Sequence, residues 1–302
     1  MTEVEAVAMI ELRECASDAD YEAWRSVRLA VEPNERTASV AEIRERIARE
    51  PERLYVVADG GAGAGFCGRS DLGHASAMVL VRPEARGRGV GTALLTALLD
   101  HARALAYSRA GAHVDGADTR SLAFAARHGF EEFDRQIEMV RTFAGPTPEP
   151  SPFTGIDFAT IAERPELLEA AYPIACQGYS DLKLATGSVT VTLEEWLREE
   201  ATLPEGSFVA LAAGEVVGYG GLTAWPDDAR RAEHGLTVVR RDWRRRGLAT
   251  ALKTRELAWA SRAGLREVVT WTQRGNEALQ GVNRRLGYST RSVSVSVWKT
   301  IS

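Results

Sequence analysis

The chain repeats itself. Arg86-Gly87-Arg88-Gly89-Val90-Gly91 returns 158 residues later as Arg244-Arg245-Arg246-Gly247-Leu248-Ala249. Both copies follow an apolar run suited to a strand and open an apolar-periodic helix. In that setting consecutive backbone N–H groups hold an anion. The same offset links Gly129-Phe130 to Gly287-Tyr288, so in each half the later Gly comes 43 positions after the leading Arg. A duplicated domain explains this better than chance.

At 302 residues the chain is long for one domain and suits two of about 150 residues each. Residues 144–152 hold four prolines in nine positions, which blocks helix and sheet pairing. The boundary is placed there, giving domains over 1–143 and 153–302 joined by a Pro-rich linker. A net charge of −5 is too mild to gather nucleic acid. Cys15, Cys67 and Cys176 show no metal-ligand spacing and no disulfide framework, so no metal is expected and a reducing cytoplasm fits. The start, Met1-Thr2-Glu3-Val4-Glu5, has no secretory character, and no apolar run is long enough for a membrane span.

Hydrophobic periodicity predicts helices over 19–31, 40–50, 91–105 and 121–128 in the first half, with strands over 54–59 and 75–81. In the second half it predicts helices over 166–172, 193–200, 247–263 and 277–286, and strands over 207–212, 216–222, 233–239, 267–272 and 290–299. This order describes α/β domains with a mixed sheet. Ala112-His113-Val114-Asp115-Gly116 reads as a poor strand beside its counterpart Val268-Val269-Thr270-Trp271.

The repeated loop brings basic side chains to an anion and leaves glycine where backbone must come close. The helix after it adds the positive end of its dipole. A pyrophosphate-bearing cofactor is the natural guest. The glycine spacing is not that of a dinucleotide-binding fingerprint, and no Gly-Lys-Ser/Thr is present to make a P-loop. A solvated arginine-rich turn is the bland reading of one copy and the lesser one; two copies in the same context leave it little room.

These residues resemble motif A of the GCN5-related N-acetyltransferase superfamily, Gln/Arg-x-x-Gly-x-Gly/Ala. The matches are Arg86-x-x-Gly89-x-Gly91 and Arg244-x-x-Gly247-x-Ala249, and the Gly-Phe and Gly-Tyr pairs match the later Gly-aromatic element. The resemblance covers both halves. It implies two tandem domains, each a mixed, splayed β-sheet flanked by helices, with acetyl-CoA entering between the fourth and fifth strands. It further implies that the pyrophosphate lies on Arg244, Arg245, Arg246, Gly247, Leu248, Ala249 and Thr250. In the first half the matching positions are Arg86, Gly87, Arg88, Gly89, Val90, Gly91 and Thr92. The strand ends Thr237-Val238-Val239 and Val79-Leu80-Val81 are then expected to pair with pantetheine and to polarise the thioester carbonyl through a backbone N–H.

In this superfamily a glutamate often sits eleven residues before motif A and serves as general base. That position is Glu233 in the second half and Ala75 in the first. The bland reading of Glu233 is a solvated carboxylate beside Arg230 and Arg231; the spacing favours the functional one. Strict alternation points His234 to the opposite face, as a core or surface histidine. The family's usual acid is a tyrosine seven residues after an asparagine. Here the asparagine position is Asn276 or Asp118, and the tyrosine position is Asn283 or Ala125. Asn283 can hydrogen-bond the sulfur or pantetheine but cannot donate a proton near neutrality, which leaves Tyr288, Tyr179 or water. Tyr179, Asp181, Trp225 and Trp271 offer aromatic walls and a carboxylate for a cationic acceptor.

The resulting expectation is a two-domain, acetyl-CoA-dependent N-acetyltransferase acting on the primary amine of a small molecule or peptide. The second half is the catalytic one, with Glu233 as base. The first is a degenerate copy, kept for architecture or for a second CoA. The rival is a non-catalytic acyl-CoA-binding or sensor protein. Monomer and homodimer both remain open, and no nucleic-acid or membrane partner is expected.

Overall fold

The computed structural model describes residues 10–70, 72–145, 147, 149–181, 191–225 and 228–301. The N-terminal segment Met1–Glu5, and Pro146 and Pro148 of the linker, lie outside them. The elements run, in chain order, β1 (Leu12–Glu14), α1 (Asp18–Val31), α2 (Val40–Arg49), β2 (Leu54–Ala58), β3 (Gly63–Arg69), β4 (Ala75–Val81), α3 (Val90–Ala104), β5 (Arg109–Asp115), α4 (Thr119–Arg127) and β6 (Glu131–Thr142). They continue with β7 (Asp157–Thr160), α5 (Glu166–Asp181), α6 (Leu193–Glu199), β8 (Phe208–Ala212), β9 (Glu215–Ala224), β10 (Arg231–Val239), α7 (Leu248–Arg262), β11 (Glu267–Gln273), α8 (Glu277–Arg285) and β12 (Ser289–Thr300).

Local chemistry sets the helix starts. Ser17, Ser39 and Thr192 each accept a hydrogen bond from the third helical N–H, and Asp20, Glu42 and Glu195 reach back to the cap. Helix α5 runs through Pro173 to Asp181, beyond the expected end at 172. Its buried face, Leu167, Leu168, Ala171, Ile174 and Ala175, gains more from packing than the missing N–H costs. Strand β5 forms in full in spite of its weak propensity, an instance of tertiary pairing overriding local preference.

Strand β3 departs from local propensity as well, since Gly63, Gly65 and Gly68 are poor strand formers. Packing explains it. A Cβ on Gly63 would lie 2.8 Å from Val90 Cγ1, and one on Gly65 3.3 Å from Leu98 Cδ1. Glycine is what lets α3 lie close on the strand, while Trp24 Nε1 donates to the Gly65 carbonyl at 2.8 Å from the other face.

The compact units do not follow the linker. One comprises Met1–His113, Ala125–Glu131 and Val297–Ser302; the other comprises Val114–Phe124 and Glu132–Ser296. In the first unit the strands run β1-β2-β3-β4-β5 and then the end of β12; in the second they run β12-β6-β11-β10-β9-β8-β7. Each fifth strand is thus paired with the last strand of the other sequence half. Strand β6 pairs antiparallel with all of β11, from Glu267↔Thr142 to Gln273↔Gln136. The ranges 1–143 and 153–302 therefore describe the repeats of the sequence, and the packing units differ from them by this exchange.

A buried ion network holds β6 in the second unit. Glu138 is 2% exposed and accepts from Arg291 and, at 2.7 Å, from Ser292 Oγ. Arg291 also reaches Glu267 at 3.1 Å, and Glu267 pairs with Arg231 at 2.6 Å.

The mixed sheets open where the resemblance implied. Strand β4 pairs parallel with β5 only at Ala75↔Ala110 and Ser76↔Gly111. Strand β10 pairs parallel with β11 only at Arg231↔Glu267, Ala232↔Val268 and Glu233↔Val269. Beyond those residues the fourth and fifth strands of each half diverge.

Candidate active site

The two repeated loops have the same backbone. Gly87 and Gly89 take φ of 82° and 89°; Arg245 and Gly247 take 62° and 86°. Two left-handed residues, with one residue between them, turn the chain sharply into α3 and α7. Gly89 and Gly247 are the N-caps of those helices and supply no side-chain cap. The first intrahelical bonds run from Ala93 to Gly89 and from Ala251 to Gly247. The amides of Val90, Gly91 and Thr92, and of Leu248, Ala249 and Thr250, precede that first bond, the geometry that a helix start offers to an anion. No atom lies within 4 Å of a Cβ built on Gly87 or Gly89, and Phe153 Cε2 lies 3.9 Å from one on Gly247.

The leading arginine of each loop has a structural part. Arg244 Nε donates to the Val239 carbonyl at 2.9 Å and Arg86 Nε to the Val81 carbonyl at 3.3 Å, tying each loop to the end of its strand. Arg246 stacks on Trp243 with 4.6 Å to the ring centroid, and Arg88 is exposed. Asp181 is drawn into the second loop, with Arg241 and Arg244 each at 2.6 Å, and their hydrogen bonds hold its carboxyl below the usual range. Exposed amides, glycine clearance and arginines at a helix start fit a diphosphate. Thr237 Oγ1 and Asn283 Oδ1 are buried with no hydrogen-bond partner among the described residues, and suit an amide-bearing arm.

The halves part company one strand earlier. The β3–β4 ladder is regular from Gly63↔Val81 to Arg69↔Ala75. In the β9–β10 ladder the register slips between His234↔Leu222 and Thr237↔Gly220, which inserts one extra residue into β10. This β-bulge at Gly235-Leu236 turns backbone groups out of the ladder and re-aims the residues after it. The repeat places Ala77 opposite Gly235, so the bulge belongs to the second half alone. A glycine inside a strand is the signal that marks it, and hydrophobic periodicity does not weigh that signal.

Glu233 lies in β10 two residues before the bulge, partly buried, paired across to Thr223 and to Val269. Ala75, its counterpart, has no proton-accepting group. His234 points the other way, as alternation implied. Its ring is buried with Nδ1 3.3 Å from Glu256 Oε2, and burial lowers its pKa. Lys253, 1% exposed, completes that core cluster; burial brings its pKa down to about 8. Tyr288 lies in the same cluster, 5.9 Å from the His234 ring centroid, with its pKa pushed up by burial.

Asn276 caps α8, its side chain accepting from Leu279 N at 3.2 Å. Asn283 is wholly buried, its Nδ2 3.7 Å from Met139 Sδ. Thr237, Val238 and Val239 come after the bulge, and Val79, Leu80 and Val81 end β4. The four acceptor-contact candidates stand in two places. Tyr179 packs edge-on to Trp196, at 6.5 Å, near Asp181 on α5. Trp225 lies under the Arg231 guanidinium at 3.9 Å, buried with Val140 and Val269, and Trp271 sits on β11 opposite Glu138.

One carboxylate at the bulge has no mark in the sequence. Glu200 ends α6, accepts from Tyr219 Oη at 3.2 Å and from the Leu236 N–H, and burial pushes its pKa up to about 7. Nothing in the local run Glu199-Glu200 sets it apart; the packing of α6 does.

Comparison with known proteins agrees with the geometry. A profile of the Acetyltransferase (GNAT) family matches residues 11–130 and 168–288. A mycothiol acetyltransferase of Geodermatophilus obscurus is 31% identical over 248 residues, covering 78% of this chain and 77% of the relative. A second, from Catenulispora acidiphila, is 30% identical over 231 residues, covering 73% and 71%. Among solved structures, a GCN5-related N-acetyltransferase from Sphaerobacter thermophilus superposes with a TM-score of 0.77 at 23% identity, over 97% of this chain and 96% of that one. A tandem GNAT protein from the clavulanic acid biosynthesis pathway gives a TM-score of 0.75 at 20% identity, over 97% and 99%. Among the described residues no helix is long and apolar enough to cross a membrane.

Proposed function

Because the chain belongs to the acetyltransferase (GNAT) family, as a tandem N-acetyltransferase of that family, we propose that its second half moves an acetyl group from acetyl-CoA to the primary amine of a small molecule or peptide. Members of this family generally draw the acetyl group from acetyl-CoA, which supplies an activated thioester. The acceptor of the relatives named mycothiol acetyltransferases favours the small-molecule end of that range.

The residues divide the work. The helix-start amides after Gly247, with Arg245 and Arg246, hold the diphosphate; the strand end Thr237–Val239 and Asn283 receive the pantetheine arm. Glu233 takes a proton from the acceptor nitrogen, directly or through water. No tyrosine stands at the family's acid position, and a thiol of ordinary pKa near 8.5 leaves without a dedicated donor. The observation that supports the second half is the bulge at Gly235-Leu236 two residues after Glu233, against Ala75 and an unbroken ladder in the first. The first half then serves architecture or a second CoA.

The test is thiol release from acetyl-CoA with a panel of amines. Glu233→Gln is expected to lower kcat/KM by about 10²–10⁴-fold, the usual worth of a general base, with acetyl-CoA affinity retained. Wild-type turnover in that variant removes Glu233 as base. Tight CoA binding with no turnover on any amine favours a sensor instead.

A further inference from the structure

Resting on the acetyl-transfer reading of the second half, we propose that Glu200 is a second proton-accepting carboxylate of that site, taking the acceptor ammonium's first proton while Glu233 takes its second. The first argument is contact. A Cβ built on Gly235 would lie 2.7 Å from Glu200 Oε2, and one on Gly221 2.9 Å from the same oxygen. Glycine on two adjoining strands therefore leaves this carboxylate directly against the bulge, with no side chain between.

The second argument is the face. Leu236 packs into the cluster of Trp196 and Tyr219 beneath α5 and α6, the side from which Glu200 approaches. Glu233 precedes Gly235 by two residues, which puts it on that face at roughly 6.6 Å along the strand. The two carboxylates therefore flank one opening in the ladder. His234 and Glu256 take the other face.

The third is electrostatic. Tyr219 Oη and the Leu236 N–H favour the ionised carboxylate, whereas burial, Glu256 of α7 and Glu199 of α6 oppose it. Tyr179 of α5 acts on Tyr219, and Glu233 of β10 stands on the same face. Burial wins, leaving an acid that exchanges its proton near neutrality, where a base is most effective.

Proton accounting gives the site two protons to take, and a separate carboxylate for each spares a return of the first to solvent before the second can leave. An ammonium and a thioester give an amide, a thiol and one released proton, so the nitrogen loses two. An N–H bond of the ammonium breaks first, its electron pair stays on nitrogen and the proton passes to Glu200. That pair then forms the N–C bond to the carbonyl carbon as the C–S bond breaks, its electrons leaving on sulfur. The second N–H proton passes to Glu233. One of the two protons ends on the sulfur and the other in solvent.

The test is the pH profile of kcat/KM, read by thiol release with acetyl-CoA and glucosamine, L-cysteinamide, spermidine or a lysine tetrapeptide, whichever is turned over fastest. In Glu200→Gln the rate should fall roughly 10²-fold near pH 7, and the deficit should shrink as pH approaches the amine's own pKa, because free amine skips the first transfer. The deficit of Glu233→Gln should stay constant with pH. Tyr219→Phe removes a donor to the carboxylate, so the acidic limb should move to higher pH; this holds the inference open to test if Glu200→Gln fails to fold. A pH-independent deficit in Glu200→Gln, or an unmoved limb in Tyr219→Phe, overturns the role of Glu200 alone. Failure of the wild type to acetylate any of the four amines overturns the reading on which it rests.

Discussion

Arg245 holds φ at 62° where the first half has Gly87 at 82°. A side chain in the left-handed region costs about 1–2 kcal/mol, so the second loop accepts strain that glycine would avoid. In exchange it carries an extra cation beside the helix-start amides, the arrangement a diphosphate binds best. Lys253 shows the same logic in the core, a charge kept where burial disfavours it. Its folded pKa of about 8 lies below the ordinary 10.5, so the unfolded state binds more protons between those values. Stability from this group therefore rises as pH climbs through that window, and its penalty is complete below about 8. Thermal midpoints of wild type and Lys253→Met, measured from pH 7 to 10.5, should shift in favour of the wild type as pH rises. A constant difference would show that the lysine is not held in this way.

At the scale of elements, the proposal that the second half does the chemistry rests on the bulge in β10. Gly235→Val drives a branched side chain toward Glu200 Oε2, so turnover should drop by at least about 10²-fold while acetyl-CoA still binds through the loop after Gly247. Calorimetry and thiol release separate the two effects. Arg291→Met strands Glu138 as a buried charge, which should cost about 3–5 kcal/mol in urea unfolding, because Arg291 is what neutralises it. Much of this level was legible in advance. The loops, the helices they open, and strands β4 and β10 come from period and glycine placement. Other parts depend on partners distant in sequence. Strand β3 owes its existence to the close approach of α3, and β5 to pairing, neither of which propensity reports. Glu233 could be found by its spacing from the loop, whereas Glu200 gains its character only when α6 presses it against two glycines. Asp181, read as an acceptor contact, pairs with Arg241 and Arg244, a contact that its sequence position does not announce.

For the molecule as a whole, duplication produced two copies of one plan and then let them differ. Each unit closes its fifth strand with the last strand of the other sequence half. The repeats are plain in the sequence, but exchange of β6 and β12 is not, because either pairing satisfies the same alternating pattern. Both halves keep the left-handed turn at a helix start; the second alone combines it with a bulged strand and a carboxylate before the bulge. In the proposed reading, acetyl transfer runs through the second turn. Its most direct test is steady-state thiol release by Gly247→Val, in which a branched side chain is forced to φ near 86°. Loss of at least about 10²-fold in kcat/KM, with weakened acetyl-CoA binding, is the predicted result. Turnover at the wild-type rate would contradict it.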